Sequence, residues 1–329
     1  MNRFTILKRG PRPQPWGASF GTSVLRAAMA VALVLSLTGC SSDVPKPTAA
    51  KSTREPGSIV VASFDFAEGE LLSDLYATIL QEHGYPVRRA FNLGPREIVQ
   101  PALQQGKVDI VPEYLGTALS FITLGNADLT QAPAKLYAQL QRHFRPRGID
   151  ALAFSSAQDE NGIVVTDDTA AHFNLRTISD LKEVAPRMVF GGPPECQSRP
   201  FCLAGLEKTY GLHFREIQSL DTGGPLTVKK LETGEIDVGL LFTTDPTIVK
   251  RNFVLLRDDK DLQPADNVVP VVRRRVLKER GGGVIRLIDS VTRRLSTEAL
   301  RRLNERVQLD GRPPHEVATE WLTRQGFIS

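Results

Sequence analysis

The sequence predicts an α/β protein built as two similar lobes with a cleft between them. Three observations lead there. Strand and helix patterns alternate from Ser58 to Val111, the arrangement that makes a parallel sheet with right-handed crossovers. A helix, turn and strand unit of the first half returns in the second. The 329 residues, 41% apolar and 24% charged, suffice for two separate cores.

An N-terminal extension precedes the predicted body. Residues 1–39 carry five basic side chains (Arg3, Lys8, Arg9, Arg12, Arg26) and no acid. The apolar run Ala27–Leu37 is too short to span a bilayer, and it ends at Leu37-Thr38-Gly39-Cys40. This pattern resembles a bacterial lipobox, in which Cys40 becomes the lipidated first residue. An ordinary signal peptide with a chance cysteine is the plainer alternative. Buried acyl chains gain about 0.8 kcal/mol per CH₂, so multiple acylation would anchor the protein to the membrane. Residues 40–57, rich in Ser, Thr, Ala, Lys and Pro, show no apolar periodicity and read as a disordered tether. Once residues 1–39 are removed, 36 basic groups face 37 acidic ones. The nominal charge of +4 therefore belongs to the removed segment, and nothing favours nucleic acid as a partner.

The body opens with a strand, Ser58–Ser63. Asp65 is placed to cap the following helix, with Glu68 able to complete the reciprocal bond. Leu71, Leu72, Leu75 and Ile79 share one face of that helix, and Gly84 stops it. A strand at Val87–Phe91 leads to Gly94-Pro95, which opens a second helix with proline preset at its first turn. Gly106 ends this helix, and Val108–Val111 forms a third strand. Leu103-Gln104-Gln105-Gly106-Lys107-Val108-Asp109-Ile110 is then echoed by Leu231-Glu232-Thr233-Gly234-Glu235-Ile236-Asp237-Val238. Each copy follows a helix opened by Gly-Pro (Gly94-Pro95, Gly224-Pro225). Shared start, stop and strand point to two lobes of one design. The general likeness of αβ units is the competing explanation.

Between the echoes a helix is expected over Ala132–Phe144, with strands at Ile149–Phe154, Gly162–Val165, Met188–Phe190 and Leu212–Ile217. Strands Phe253–Leu256 and Asn267–Val272 follow. Gly281-Gly282-Gly283 reads as a flexible connection. The last helices are marked by Val284, Ile285, Ile288 and Val291, by Ser296, and by Trp321. The chain is expected to leave the first lobe near Gln158 and return near Asn267. Lobe 1 is then 58–158 plus 268–329, and lobe 2 is 159–267. Two crossing strands make a hinge, and strand ends and helix N-termini converge on the cleft.

No enzyme signature is present: no nucleophile elbow, no paired-histidine metalloprotease helix, no phosphate loop and no dinucleotide fingerprint. No cofactor is expected. The histidines (His83, His143, His172, His213, His315) lack ligand spacing, so no metal site is expected. For Cys196 and Cys202 a disulfide is the default in an exported protein, with free thiols or metal ligation as alternatives. A ring this short contributes about 2–3 kcal/mol in the loop-entropy model.

Several segments resemble one family in the same order: Ser63-Phe64-Asp65-Phe66-Ala67-Glu68, Asn92-Leu93-Gly94, Pro112-Glu113-Tyr114-Leu115-Gly116-Thr117, Arg176-Thr177-Ile178-Ser179-Asp180-Leu181 and Thr243-Thr244-Asp245. They are similar to the substrate-binding proteins of glycine betaine, carnitine and choline importers, and the likeness runs from about Ile59 to the C-terminus. It implies a two-lobed periplasmic-binding-protein-like fold of type II that closes on its ligand. It also implies an ABC permease with its ATPase as partners and, with the lipobox, a lipid-anchored position on the extracytoplasmic face of the cell membrane.

A quaternary ammonium donates no conventional hydrogen bond, so aromatic faces must meet its charge; a carboxylate calls for an arginine fork. By resemblance, Tyr114 is a cage wall, Thr117 a hydrogen-bond donor and Arg199 the carboxylate partner. A merely packed ring and a surface ion pair are the plain alternatives for Tyr114 and Arg199. The chain also departs from the family. Phe64 stands where the family often has lysine, and a tyrosine wall expected near Asn161-Gly162-Ile163 is isoleucine here. Two other wall positions fall on Phe242 and Asp266. The candidate ligand set is thus Phe64, Tyr114, Thr117, Asn161, Arg199, Phe242 and Asp266, with Asp266 itself able to face a cation. The favoured reading is capture of a small osmoprotectant such as glycine betaine, choline or carnitine for a permease. A different solute, a sensory binding protein and an enzyme on the same scaffold are the alternatives.

Overall fold

The computed structural model describes residues 57–329. The export signal expected at 1–39, the expected anchor Cys40 and the expected tether up to residue 56 lie outside the described residues. Among the described residues, no helix is long and apolar enough to cross a membrane.

Strand β1 (Ile59–Ala62) is buried along its whole length, as a strand with neighbours on both sides must be. Helix α1 (Ala67–Glu82) lays Leu71, Leu72, Leu75 and Ile79 into the core. Its start departs from expectation. Phe66 is the N-cap and makes no side-chain cap bond, Asp65 is exposed, and Glu68 turns inward to other partners. Strand β2 (Val87–Ala90) pairs in parallel with β1. Helix α2 (Arg96–Gln104) begins one residue later than expected, so Pro95 is its N-cap rather than part of its first turn. Strand β3 (Ile110–Tyr114) lies parallel on the other side of β1. Helices α3 (Leu115–Ile122) and α4 (Pro133–Phe144) and the short strand β4 (Ile149–Ala151) follow.

After Gln158 the chain builds a second sheet. Strand β5 (Asn161–Thr166) runs into helix α5 (Asp167–Phe173), whose start Thr166 caps by accepting from the Thr169 N–H at 3.1 Å. Next come β6 (Val189–Gly192), α6 (Leu203–Gly205), β7 (Glu216–Ser219), α7 (Pro225–Glu232), β8 (Val238–Phe242), α8 (Thr247–Lys250) and β9 (Phe253–Leu255). At Asn267 the chain returns, pairing with the outgoing Gln158 in an isolated antiparallel bridge. Strand β10 (Val268–Arg273) then joins the first sheet. Helices α9 (Arg274–Arg280), α10 (Gly282–Thr292), α11 (Thr297–Gln308) and α12 (Pro314–Arg324) complete the chain. The three glycines are not a free linker as expected. Gly281 turns the backbone at φ +73°, and Gly282 and Gly283 open α10. A Cβ on Gly283 would come within 2.3 Å of the Tyr85 hydroxyl oxygen, so any larger residue there would have to push the Tyr85 ring aside.

The sheets are ordered β2-β1-β3-β10-β4 and β7-β6-β8-β5-β9. In each, three parallel strands are extended by an antiparallel fourth, β10 or β5, and that fourth strand is the one arriving from the other sheet. The echo explains the shared plan in atoms. Asp109 accepts the Val60 N–H at 3.0 Å and returns its own N–H to the Val60 carbonyl at 2.8 Å. Asp237 does the same to Val189 at 2.7 and 2.9 Å. Gly106 and Gly234, both near φ +70°, make the turn that aims each aspartate at the neighbouring strand. One apolar core fills the first lobe, and two smaller clusters cover the faces of the second sheet.

Asp237→Ala leaves the Val189 N–H without its acceptor inside the sheet. It is expected to lower stability by about 1–3 kcal/mol, read as a smaller urea midpoint with an unchanged slope.

Candidate functional site

The central strands β3 and β8 both end on an aromatic residue, Tyr114 and Phe242, at equivalent places in the echo. Each stands opposite the start of the crossing strand: Tyr114 pairs with Val268, and Phe242 with Asn161. The carboxyl ends of parallel strands leave an unfilled crevice, and here the ends of both sheets border a cavity of about 480 Å³. That volume suits a small molecule. All seven residues expected at a ligand site line it: Phe64, Tyr114, Thr117, Asn161, Arg199, Phe242 and Asp266.

Phe66 ties the aromatic wall together. Its ring centroid lies 5.0 Å from Phe242, 6.1 Å from Tyr114 and 6.1 Å from Phe64. One face of Phe64 already carries a cation, because the Arg96 guanidinium carbon sits 5.3 Å from its centroid. Ile163, at the place of an expected tyrosine wall, points into the core of the second lobe instead.

Arg96 grips Glu113 through Nε and Nη2 at 3.1 and 2.9 Å, and Nη2 also donates to the Thr117 hydroxyl at 3.0 Å. Burial works against the Arg96 charge, yet Glu113 more than offsets it and holds the guanidinium above its ordinary pKa. The Thr117 N–H donates to Asp266 at 2.8 Å, so a carboxylate from the returning strand caps the first turn of α3. Gly116 makes this possible: a Cβ there would meet the Pro264 side chain at 2.5 Å and the Ala265 carbonyl oxygen at 3.1 Å. Asp266 is 3% exposed, and burial pushes its pKa up to about 7, against the pull of the Thr117 N–H and Arg96.

Behind the rings lies a second carboxylate, Glu68, 2% exposed. It accepts from the Tyr114 hydroxyl, the Thr244 hydroxyl and the Asn304 amide, each at 2.6 Å. Thr244 also donates its N–H to Asp159 at 3.0 Å, and its hydroxyl oxygen lies 2.9 Å from that same carboxyl oxygen. Burial raises Glu68 above its ordinary pKa despite those donors. Burial and then the Glu68 charge raise Asp159 well above the usual carboxylate range. Burial and Glu68 likewise raise Tyr114, so its phenol stays protonated.

The remaining wall comes from the Cys196–Cys202 loop. The two cysteines are joined, and Ser198, Arg199, Pro200 and Phe201 between them all line the cavity. Asn161 and Gln263 hold the loop by donating to the Phe201 carbonyl at 3.1 and 3.0 Å. Arg199 reaches Glu97 on α2 at 2.8 Å and Glu195 at 3.6 Å. Burial works upward on Glu97, but the Arg199 hydrogen bond and charge outweigh it and hold its pKa below the usual value.

Among the residues around the cavity that the sequence-derived set lacks are Phe66, Glu68, Arg96 and Asp159. Phe66 and Glu68 fall inside the quoted Ser63–Glu68 segment, and Arg96 directly follows Gly94-Pro95. A buried charge at a helix start facing the strand-end Glu113 was the available signal for Arg96. Asp159 carries none.

A model of the substrate-binding domain of ABC-type glycine betaine transport systems matches residues 57–324. The chain belongs to that family. A glycine-betaine-binding protein of Pseudomonas aeruginosa is 29% identical over 274 residues, covering 80% of this chain and 86% of that protein. An ergothioneine transport permease/ergothioneine binding protein of Helicobacter pylori is 26% identical over 82% of this chain, which spans only 48% of that longer protein. A crystal structure of a glycine betaine/carnitine/choline ABC transporter is similar at TM-score 0.65 and 25% identity, over 83% of this chain and all of that one. The two sheets and their exchanged strands are thus those of a type II periplasmic binding protein, and the chain is a substrate-binding component of an ABC-type transport system.

Tyr114→Phe keeps the ring but removes a donor from a buried carboxylate. The ligand-free protein is expected to lose about 1–3 kcal/mol of stability, measured by urea unfolding. A cost no larger than that of an exposed-residue control would show that Glu68 does not depend on this bond.

Proposed function

We propose that this protein captures a small osmoprotectant with a quaternary ammonium head, such as glycine betaine, choline or carnitine, and delivers it to an ABC permease with its ATPase. It acts by binding, without a catalytic step. The observation that carries this reading is the cluster of Tyr114 and Phe242, at the ends of the two central strands, with Phe66 at the start of α1. Rings contributed by both lobes meet around one cavity, so a cation there would touch Phe242 together with the lobe 1 rings only when the lobes are together. That is how ligand binding and closure would become one event. Phe64, Thr117, Asn161, Arg199 and Asp266 complete the proposed ligand set, with lobe 1 formed by 58–158 plus 268–329 and lobe 2 by 159–267. The similarity to proteins that carry betaine names supports the ligand class.

Calorimetry of the folded part against choline, glycine betaine and carnitine tests the reading. Tyr114→Ala should weaken binding by about 1–2 kcal/mol or more, as expected for a desolvated cation–π contact. Binding of none of the three at millimolar concentration would discard the osmoprotectant assignment.

The reading also places the protein outside the cytoplasmic membrane, held by lipid on Cys40 after removal of residues 1–39, with the Cys196–Cys202 disulfide formed in that oxidising space. Wild-type protein from membranes should partition into detergent, and exported Cys40→Ser should move to the aqueous phase. Equal partitioning would refute the anchor.

A further inference from the structure

The cavity holds more acid than base. Asp65, Glu97, Asp159, Glu195 and Asp266 line it, against Arg96 and Arg199 alone, and no lysine or histidine lines it among the described residues. Neither arginine is idle. Arg96 is held two-pronged by the buried Glu113, and Arg199 lies between Glu97 and Glu195. A ligand carboxylate brought to either arginine would arrive beside the protein carboxylate already there, and like charges close together repel. Asp266 is different. Its carboxylate is buried on the wall, one oxygen takes the Thr117 N–H, and among the described residues no side-chain cation lies within ion-pair distance. The aromatic faces add attraction for a cation and none for an anion.

We propose that the ligand of this site carries a net positive charge and that Asp266 is its counter-ion, so that a choline-like monocation is preferred over a zwitterionic betaine. This rests on the osmoprotectant reading and narrows it. The buried Asp266 carboxyl then holds a proton at low pH, and an entering cation displaces it. Asp266 faces Arg96 from α2, Glu160 from the crossing segment and Tyr114 from β3, with Glu113 behind Arg96. Of these, Arg96 favours the ionised carboxylate, and Glu160 favours the protonated one. Burial sets the balance near neutrality, at about 7 in the empty site. A bound cation lowers that value. The cation therefore binds at full strength above pH 7, and its affinity falls as the pH drops through that point, by about tenfold for each unit further below.

Calorimetry with choline, tetramethylammonium and glycine betaine between pH 5.5 and 8, in phosphate and in Tris, reads both affinity and protons exchanged. At pH 8 choline should bind at least tenfold more tightly than glycine betaine. Below pH 7 choline binding should weaken and release close to one proton. Asp266→Asn keeps an acceptor for the Thr117 N–H. It should weaken choline at pH 8, remove its pH dependence and improve glycine betaine relative to choline. Glycine betaine binding as tightly as choline to the wild type would overturn the inference while leaving the binding-protein reading intact. So would a choline affinity that ignores both pH and Asp266→Asn. Binding of none of the three would remove the osmoprotectant reading and this inference with it.

Discussion

Glu68 sits where four parts of the chain meet, and among the described residues no cation pairs with it. A carboxylate removed from water is costly unless its oxygens are satisfied. Here one oxygen takes the Tyr114 hydroxyl, and the other takes the Thr244 hydroxyl and the Asn304 amide. Those donors come from the end of β3, the end of β8 and helix α11. Satisfying the one carboxylate thus fixes a cavity ring, brings the loop after β8 against α1, and positions α11 across the junction. Arg301 on the same helix adds donors to the Thr243 carbonyl at 3.2 and 3.3 Å. The cavity wall and the lobe junction share this one electrostatic constraint, so neither can be rearranged alone.

The repeat carries the geometry further. Each lobe uses a glycine turn, an aspartate that reaches the adjacent strand, and a central strand ending on an aromatic ring. The strand beside that ring arrives from the other lobe. Ring and crossing point are therefore neighbours by construction.

Much of the fold was legible because its signals are local. Glycine stops, strand alternation and the echo all operate within about ten residues, and the two crossings near Gln158 and Asn267 followed from where the strands had to go. The cavity wall was legible wherever a motif carried it, as with Tyr114 and Thr117, which line it, and Gly116 now has a packing reason. Glu68 was misread because a capping box is a local pattern, whereas its partner Asn304 is 236 positions away. The glycine triplet looked like a linker because nothing in its neighbourhood of sequence reveals that Tyr85 presses on Gly283. Arg199 was legible as a cavity residue, but not its tie to Glu97, which depends on how two distant loops meet.

The exchanged strands also govern the order in which the molecule can be assembled. The second sheet is one continuous stretch, from β5 to β9, and holds all its own strands. The first sheet lacks its fourth strand until β10 has been synthesised, and α1 lacks its cover until α12 packs on it. The earliest of the described strands to be made thus sit in the sheet that is completed last, because closing so long a loop must wait for its far end.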